Sequence, residues 1–97
     1  NYKQAETLLN DWLQKEPDNS EVQLYYGISL LENNHLMEAQ KVFKDLEKNE
    51  LFKNTAYWYL ALTSLKEKDY KTCEAYLKQI NTASSEGKKA RRLLKKL

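Results

Sequence analysis

SEVQLYYGISLLENNHLMEAQKVFKDLEK, residues 20 to 48, reads as two short amphipathic helices, the first closing on Asn33-Asn34 and the second opening at His35. Its landmarks recur at a fixed offset. Gly27, Ala39, Phe43 and Leu46 are matched one step later by Ala61, Cys73, Leu77 and Ile80, and one step earlier stand Ala5, Leu9 and Trp12. The step is the same for every pair. Small positions stay small and large apolar positions stay large. A constant period of this kind marks an array of helical units, each burying its apolar face against its neighbours.

Working outward from that stretch, the same spacing carries through the whole chain. Tyr2 to Lys15 forms a first helix with Ala5, Leu8, Leu9 and Trp12 on one stripe, stopped by Pro17, which lacks a donor and disfavours helix at Glu16. Asp18 and Glu21 are spaced as a capping box for the second helix, which runs from Ser20 to Glu32 and turns Val22, Tyr26, Gly27 and Leu30 inward. Gly27 in mid-helix costs about 1 kcal/mol against alanine, so close approach of the following helix is expected there. A third helix, His35 to Asn49, offers Leu36, Ala39, Val42, Phe43 and Leu46. A fourth, Phe52 to Glu67, turns Tyr57, Leu60, Ala61 and Ser64 inward. Lys68-Asp69 makes a turn with Asp69 as N-cap, and Tyr70 to Ile80 follows with Tyr70, Cys73, Tyr76, Leu77 and Ile80 facing the core. Ser84 or Ser85 caps a last helix, Glu86 to Lys96, whose apolar residues are Ala90, Leu93 and Leu94, with Leu97 beyond its end. Short connections between helices of this length force antiparallel neighbours, so the expected fold is all-α, six helices in a right-handed stack of helical hairpins.

Composition narrows the function. The chain has 97 residues, enough for one domain, with 31% charged residues, two glycines and one proline, a helical balance throughout. No apolar run approaches the roughly 18–20 residues of a membrane span. Asn1 is not an initiator methionine and no leader pattern is visible, so the chain is expected to be an excised fragment whose targeting signals lie elsewhere. Its compartment is not encoded in it. A single cysteine, Cys73, excludes an internal disulfide. The net charge of +2 conceals an asymmetry: residues 87 to 97 hold six basic groups and no acid, leaving ten basic against fourteen acidic residues elsewhere.

The landmarks resemble the tetratricopeptide repeat family, whose pattern is W-x2-L-G-x2-Y followed by A-x3-F and a closing proline, at a period of about 34 residues. One repeat matches at residues 20–53 through Gln23, Tyr26, Gly27, Leu30, Ala39, Phe43, Leu46 and Leu51. A second matches at 54–85 through Tyr57, Leu60, Ala61, Ser64, Cys73, Leu77, Ile80 and Ser85. Residues 1–17 are similar to the second helix of a truncated repeat, and 86–97 to the family's terminal solvating helix. Gln23, Ser64, Leu51 and Ser85 depart from the pattern. Trp58-Tyr-Leu-Ala-Leu and the ending Ala90-Arg-Arg-Leu-Leu-Lys-Lys-Leu resemble bacterial members, some of which are tethered by a membrane helix preceding the repeats.

The resemblance implies a non-catalytic protein-interaction scaffold that takes a peptide or helix of a partner in the groove lined by the first helix of each repeat. Carried onto this chain, the groove residues are Leu24, Tyr25, Ile28 and Leu31, then Trp58, Tyr59, Leu62 and Leu65. These lie off the core stripe yet are apolar, which a solvated face would not be. Two readings stay open for them: a partly open aromatic groove for a partner, or side chains packed on one another in a tightly wound stack. The Lys, Asn and Arg clamp by which some relatives hold a C-terminal carboxylate is absent, since Leu24, Tyr25, Ile28, Thr55 and Tyr59 occupy those places and Lys89 alone matches.

Lys89, Arg91, Arg92 and Lys96 form a basic surface on the last helix. It reads as the polar outer face of a terminal helix, its late cations complementing the helix dipole. An acidic partner, anionic lipid or nucleic acid is the competing reading. No aromatic residue is interleaved with these cations in sequence, so nucleic acid is not expected. His35 is the one histidine and sits at a helix start, while Cys73 occupies a small buried landmark, where a thiol is inert. No metal ligand set, cofactor loop or catalytic pair is spaced for chemistry. The first helix leaves Leu8, Leu9 and Trp12 partly uncovered, and either a second copy of the chain in a homodimer or a flanking segment of a longer protein would cover them. The alternative function is thus a self-association or assembly module of a larger, membrane-tethered bacterial protein, with the basic last helix contacting an acidic surface.

Overall fold

The Asn34 backbone is left-handed, with φ of 65°, and so is that of its counterpart one repeat on, Lys68, with φ of 62°. Each ends a helix in the same way. His35 N–H reaches back to Leu30 C=O (2.8 Å) and Asn34 N–H to Leu31 C=O (3.1 Å); Asp69 N–H reaches Ser64 C=O (2.9 Å) and Lys68 N–H Leu65 C=O (3.0 Å). This paired closure satisfies carbonyls that a helix end leaves free, and it turns the chain sharply enough for the next helix to run back. The computed structural model describes residues 1–97 and contains six helices: α1 (Tyr2–Lys15), α2 (Ser20–Glu32), α3 (Leu36–Leu46), α4 (Lys53–Lys66), α5 (Tyr70–Gln79) and α6 (Gly87–Lys96). Consecutive helices pack on one another, and α2 also touches α4. The result is a stack of antiparallel hairpins measuring 39 × 26 × 19 Å.

The recurring landmarks are the core. Gly27 and Ala61, Leu30 and Ser64, Ala39 and Cys73, Phe43 and Leu77, Leu46 and Ile80 are all buried. Phe43, Leu30, Leu46, Leu60 and Leu77 are the largest side chains fully closed off from water. Each contributes about 1.5–3 kcal/mol of transfer free energy. Two buried hydroxyls also repeat at the same offset: Ser29 donates to Tyr26 C=O and Thr63 to Tyr59 C=O, both at 2.7 Å. Bonding back to their own helix removes the cost of an unpaired buried polar group.

Several local details depart from expectation. Asn19, not Asp18, caps α2: its side-chain oxygen accepts from Val22 N–H at 3.1 Å, and no capping box forms with Glu21. Glu16 explains the choice, because its carboxylate accepts from the Asn19 amide (3.1 Å) and from the Trp12 indole (2.7 Å), holding Asn19 in place. Those two hydrogen bonds, Asn19 first, lower the pKa of Glu16. α3 ends at Leu46 rather than Asn49, since Asn49 turns its amide to the Ser20 hydroxyl (2.8 Å) and accepts from Leu51 N–H (3.0 Å). Neither Ser84 nor Ser85 caps α6; Ser84 bonds Asn81 C=O at 2.6 Å and the helix starts after Glu86. Tyr70 is 54% exposed and Leu97 44% exposed, so neither reaches the core. Asp69 does cap α5, accepting from Thr72 N–H (3.2 Å) and the Thr72 hydroxyl (2.7 Å), which lowers its pKa.

A Cβ at Gly27 would overlap the Phe43 ring. Gly27→Ala is therefore expected to lower stability by about 1–3 kcal/mol from overpacking, net of a helix-propensity gain of about 1 kcal/mol, as read by urea unfolding. Lys68→Gly should act in the opposite direction, removing a left-handed strain of about 1–2 kcal/mol and raising the melting temperature by several degrees.

Candidate partner-binding groove

α2 and α4 are apolar around most of their circumference, unlike the one-sided α3, α5 and α6. One apolar face of each meets the core, and the other forms a strip along the inner side of the stack. Along it, Leu24 and Ile28 of α2 and Trp58, Tyr59 and Leu62 of α4 are half-buried, packed against the core from outside. Tyr25 is 52% exposed. Leu65 is half-buried as well. Leu31 is the correction: at 4% exposure it belongs to the central core and has no surface to offer a partner. The last turn of α2 packs between α1 and the neighbouring hairpin, and the Lys66 ammonium closes over it by donating to Leu31 C=O at 3.1 Å.

Tyr59 has a structural part to play. Its ring stacks on Phe43 at 5.4 Å between centroids with an 18° interplanar angle, linking α4 to α3. Burial, then the Glu86 and Tyr25 and Glu32 side chains nearby, raise its phenol pKa. Tyr25 holds the equivalent place on α2, one repeat earlier, so the two inner helices carry tyrosines at the same position.

α6 is set against α4 in parallel register. The Thr55 hydroxyl donates to Glu86 at 2.9 Å, and one turn along, the Lys89 ammonium lies 5.7 Å from the Trp58 ring centroid. The preceding loop is fastened by Asn81 N–H to the Asn54 side chain (2.9 Å), and Gly87 packs so tightly on the Thr82 backbone that a Cβ there would overlap it. A cavity of about 250 Å³ opens between the two helices, lined by Trp58, Lys89, Arg92, Leu93 and Lys96. The basic surface is therefore divided. Lys89, Arg92 and Lys96 stand on the groove side beside Trp58, while exposed Arg91 is not among the lining residues. Aromatic and cation are distant in sequence, and only the α5–α6 loop brings them together.

At the other end of the strip, Leu9, Trp12, Val22, Tyr25, Asn19 and Glu21 line a cavity of about 210 Å³ between α1 and α2. At the opposite end of this helix pair α1 is held by polar ties: the Asn33 amide donates to Glu6 and to Tyr2 C=O, and His35 Nδ1 lies 3.1 Å from the Glu6 carboxylate. No residue of α1 is buried, and Leu8 is 68% exposed. Cys73 is fully closed off, and burial, with Asp69 nearby, pushes its thiol pKa up. No three His, Cys, Asp or Glu side chains converge as a metal would require. No helix is long and apolar enough to cross a membrane.

A family profile described as tetratricopeptide repeat matches residues 1–65, which span α1, α2, α3 and nearly all of α4. Neither a curated protein nor a solved structure matches the chain.

The strip divides into supports and free surface, and stability measurements separate them. Tyr59→Ala should cost roughly 2 kcal/mol in urea unfolding, through lost area and the lost Phe43 stack. Tyr25→Ala should stay within about 0.5 kcal/mol of the parent.

Proposed function

We propose that this chain, which belongs to the tetratricopeptide repeat family, is a non-catalytic interaction module that seats a peptide or helix of a partner protein on the inner faces of α2 and α4. Repeats of this family mediate protein–protein contact. The observation that carries the finer reading is the second apolar face of the two inner helices. Leu24, Tyr25, Ile28, Trp58 and Leu62 retain accessible surface after the core is complete, and the repeat pattern demands none of them. Exposing such side chains without an occupant wastes hydrophobic free energy of about 25 cal/mol per Å². Their order along the strip, tyrosine and tryptophan among aliphatic residues, suits anchor side chains from a partner.

A second reading rests on a separate observation. Leu8 and Trp12 on α1 are 68% and 49% exposed, and a second copy of the chain would cover them. The two readings place the contact on different faces, so substitutions part them. With the domain as bait, Tyr25→Ala combined with Trp58→Ala should abolish capture of protein partners, while Leu8→Glu should leave capture intact. Capture that survives the first pair and fails with Leu8→Glu would move the interaction to α1.

A further inference from the structure

Lys89, Arg92 and Lys96 recur at three- and four-residue spacing on α6, forming one cationic line beside Trp58. None of the three enters an ion pair within the chain; the pairs that form are His35–Glu6, Lys48–Asp45 and Lys78–Glu74, all elsewhere. Two acids stand nearer the middle of the strip, Glu32 and Glu86 beside Tyr59, and neither pairs with one of these cations. Glu86 accepts from Thr55 and from Ser85, and Glu21 lines the cavity at the opposite end of the strip. The apolar floor formed by Trp58 and Leu93 thus has an unanswered basic wall at the α6 end and an acidic residue at the α1 end.

From this charge polarity we propose that the partner is a protein segment with a large apolar anchor flanked by acidic side chains, seated so that its carboxylates meet Lys89, Arg92 and Lys96. The idea rests on the groove reading above and adds to it the chemistry and direction of the occupant. Opposite charges across an interface fix register and raise association rates more than they raise affinity. An apolar anchor entering beside Trp58 would lie against Leu93 while its neighbouring carboxylates replace the water on the three cations. Nucleic acid fits less well, because cations would have to track a phosphate backbone along the site, and beyond α6 there is only Lys66, which is taken up by Leu31 C=O. A membrane surface fits less well because the cations border a concave cavity floored by Trp58 and Leu93, a shape that takes an inserted side chain rather than a flat sheet of headgroups.

The test uses the intact chain and three synthetic helical peptides, amidated at the C-terminus so that only side-chain carboxylates can respond. All carry one leucine and phenylalanine stripe, flanked by glutamate, glutamine or lysine. NMR would follow the indole N–H signals of Trp58 and Trp12. The glutamate peptide should shift Trp58, bind more weakly as salt rises, and lose at least about tenfold in affinity with Arg92→Glu or Lys96→Glu, both at exposed positions where the fold is retained. The lysine peptide should not bind. Equal binding of the glutamine and glutamate peptides would overturn the acidic assignment while leaving the groove reading intact. No binding by any of them would overturn the acidic assignment too, the groove itself being judged by partner capture. Tighter binding of phosphatidylserine vesicles or oligothymidylate, lost in the same variants, would assign the face to lipid or nucleic acid and equally overturn it.

Discussion

Gly27 has no Cβ, and the Phe43 ring occupies the space one would fill. That contact sets the separation of α2 and α3, and the remaining helices are arranged around it. Phe43 is completely buried and supports Tyr59 on its other side, so one ring joins three helices. One repeat later the same volume is divided differently. Ala61 gains a methyl and Leu77 is smaller than a phenylalanine, both again fully buried. Close packing tolerates this exchange because the summed volume is kept. The glycine's backbone cost is the counterpart of the larger ring opposite it.

The position of the groove follows from the same constraint. With α3 and α5 drawn close behind them, α2 and α4 stand side by side and turn their remaining faces the same way. Apolar residues one full repeat apart take equivalent places on the two helices, as with Leu24 and Trp58, or Ile28 and Leu62. α6 then extends the row. Its placement combines Ala90, buried in the core, and half-buried Leu93 and Leu94 with polar ties at Asn54, Thr55 and Glu86 and the Gly87 contact. The cations of this helix all stay exposed, and Lys89, Arg92 and Lys96 are those that stand beside Trp58.

Much of the fold was legible because the period repeats a physical requirement. Wherever Gly27, Ala39, Phe43 and Leu46 have counterparts, a small or apolar residue is needed to close the same space, so the pattern survives changes of residue. Details set by competition between neighbours were not legible. Asp18 and Asn19 are equally plausible caps until Glu16 takes the Asn19 amide, and Leu31 and Tyr25 look alike as apolar residues off the main stripe until the helix is packed. Of the meeting of Trp58 with Lys89, Arg92 and Lys96, only Lys89 had a sequence signal, as the one match to the family's groove clamp; the rest depends on how the α5–α6 loop folds back. Tyr70 misled for the opposite reason: its position relative to Leu36 predicts burial, yet it stays 54% exposed.

The central claim is that core and groove are distinct surfaces of the same two helices. Solvent paramagnetic relaxation in the isolated chain measures this most directly, by adding a neutral, water-confined paramagnet and recording side-chain NMR signals. Strong broadening of Tyr25 and Trp58, with Leu31 and Phe43 left sharp, is the predicted result. If Tyr25 and Trp58 are as protected as Phe43, the strip is packed on itself and the chain has no open groove.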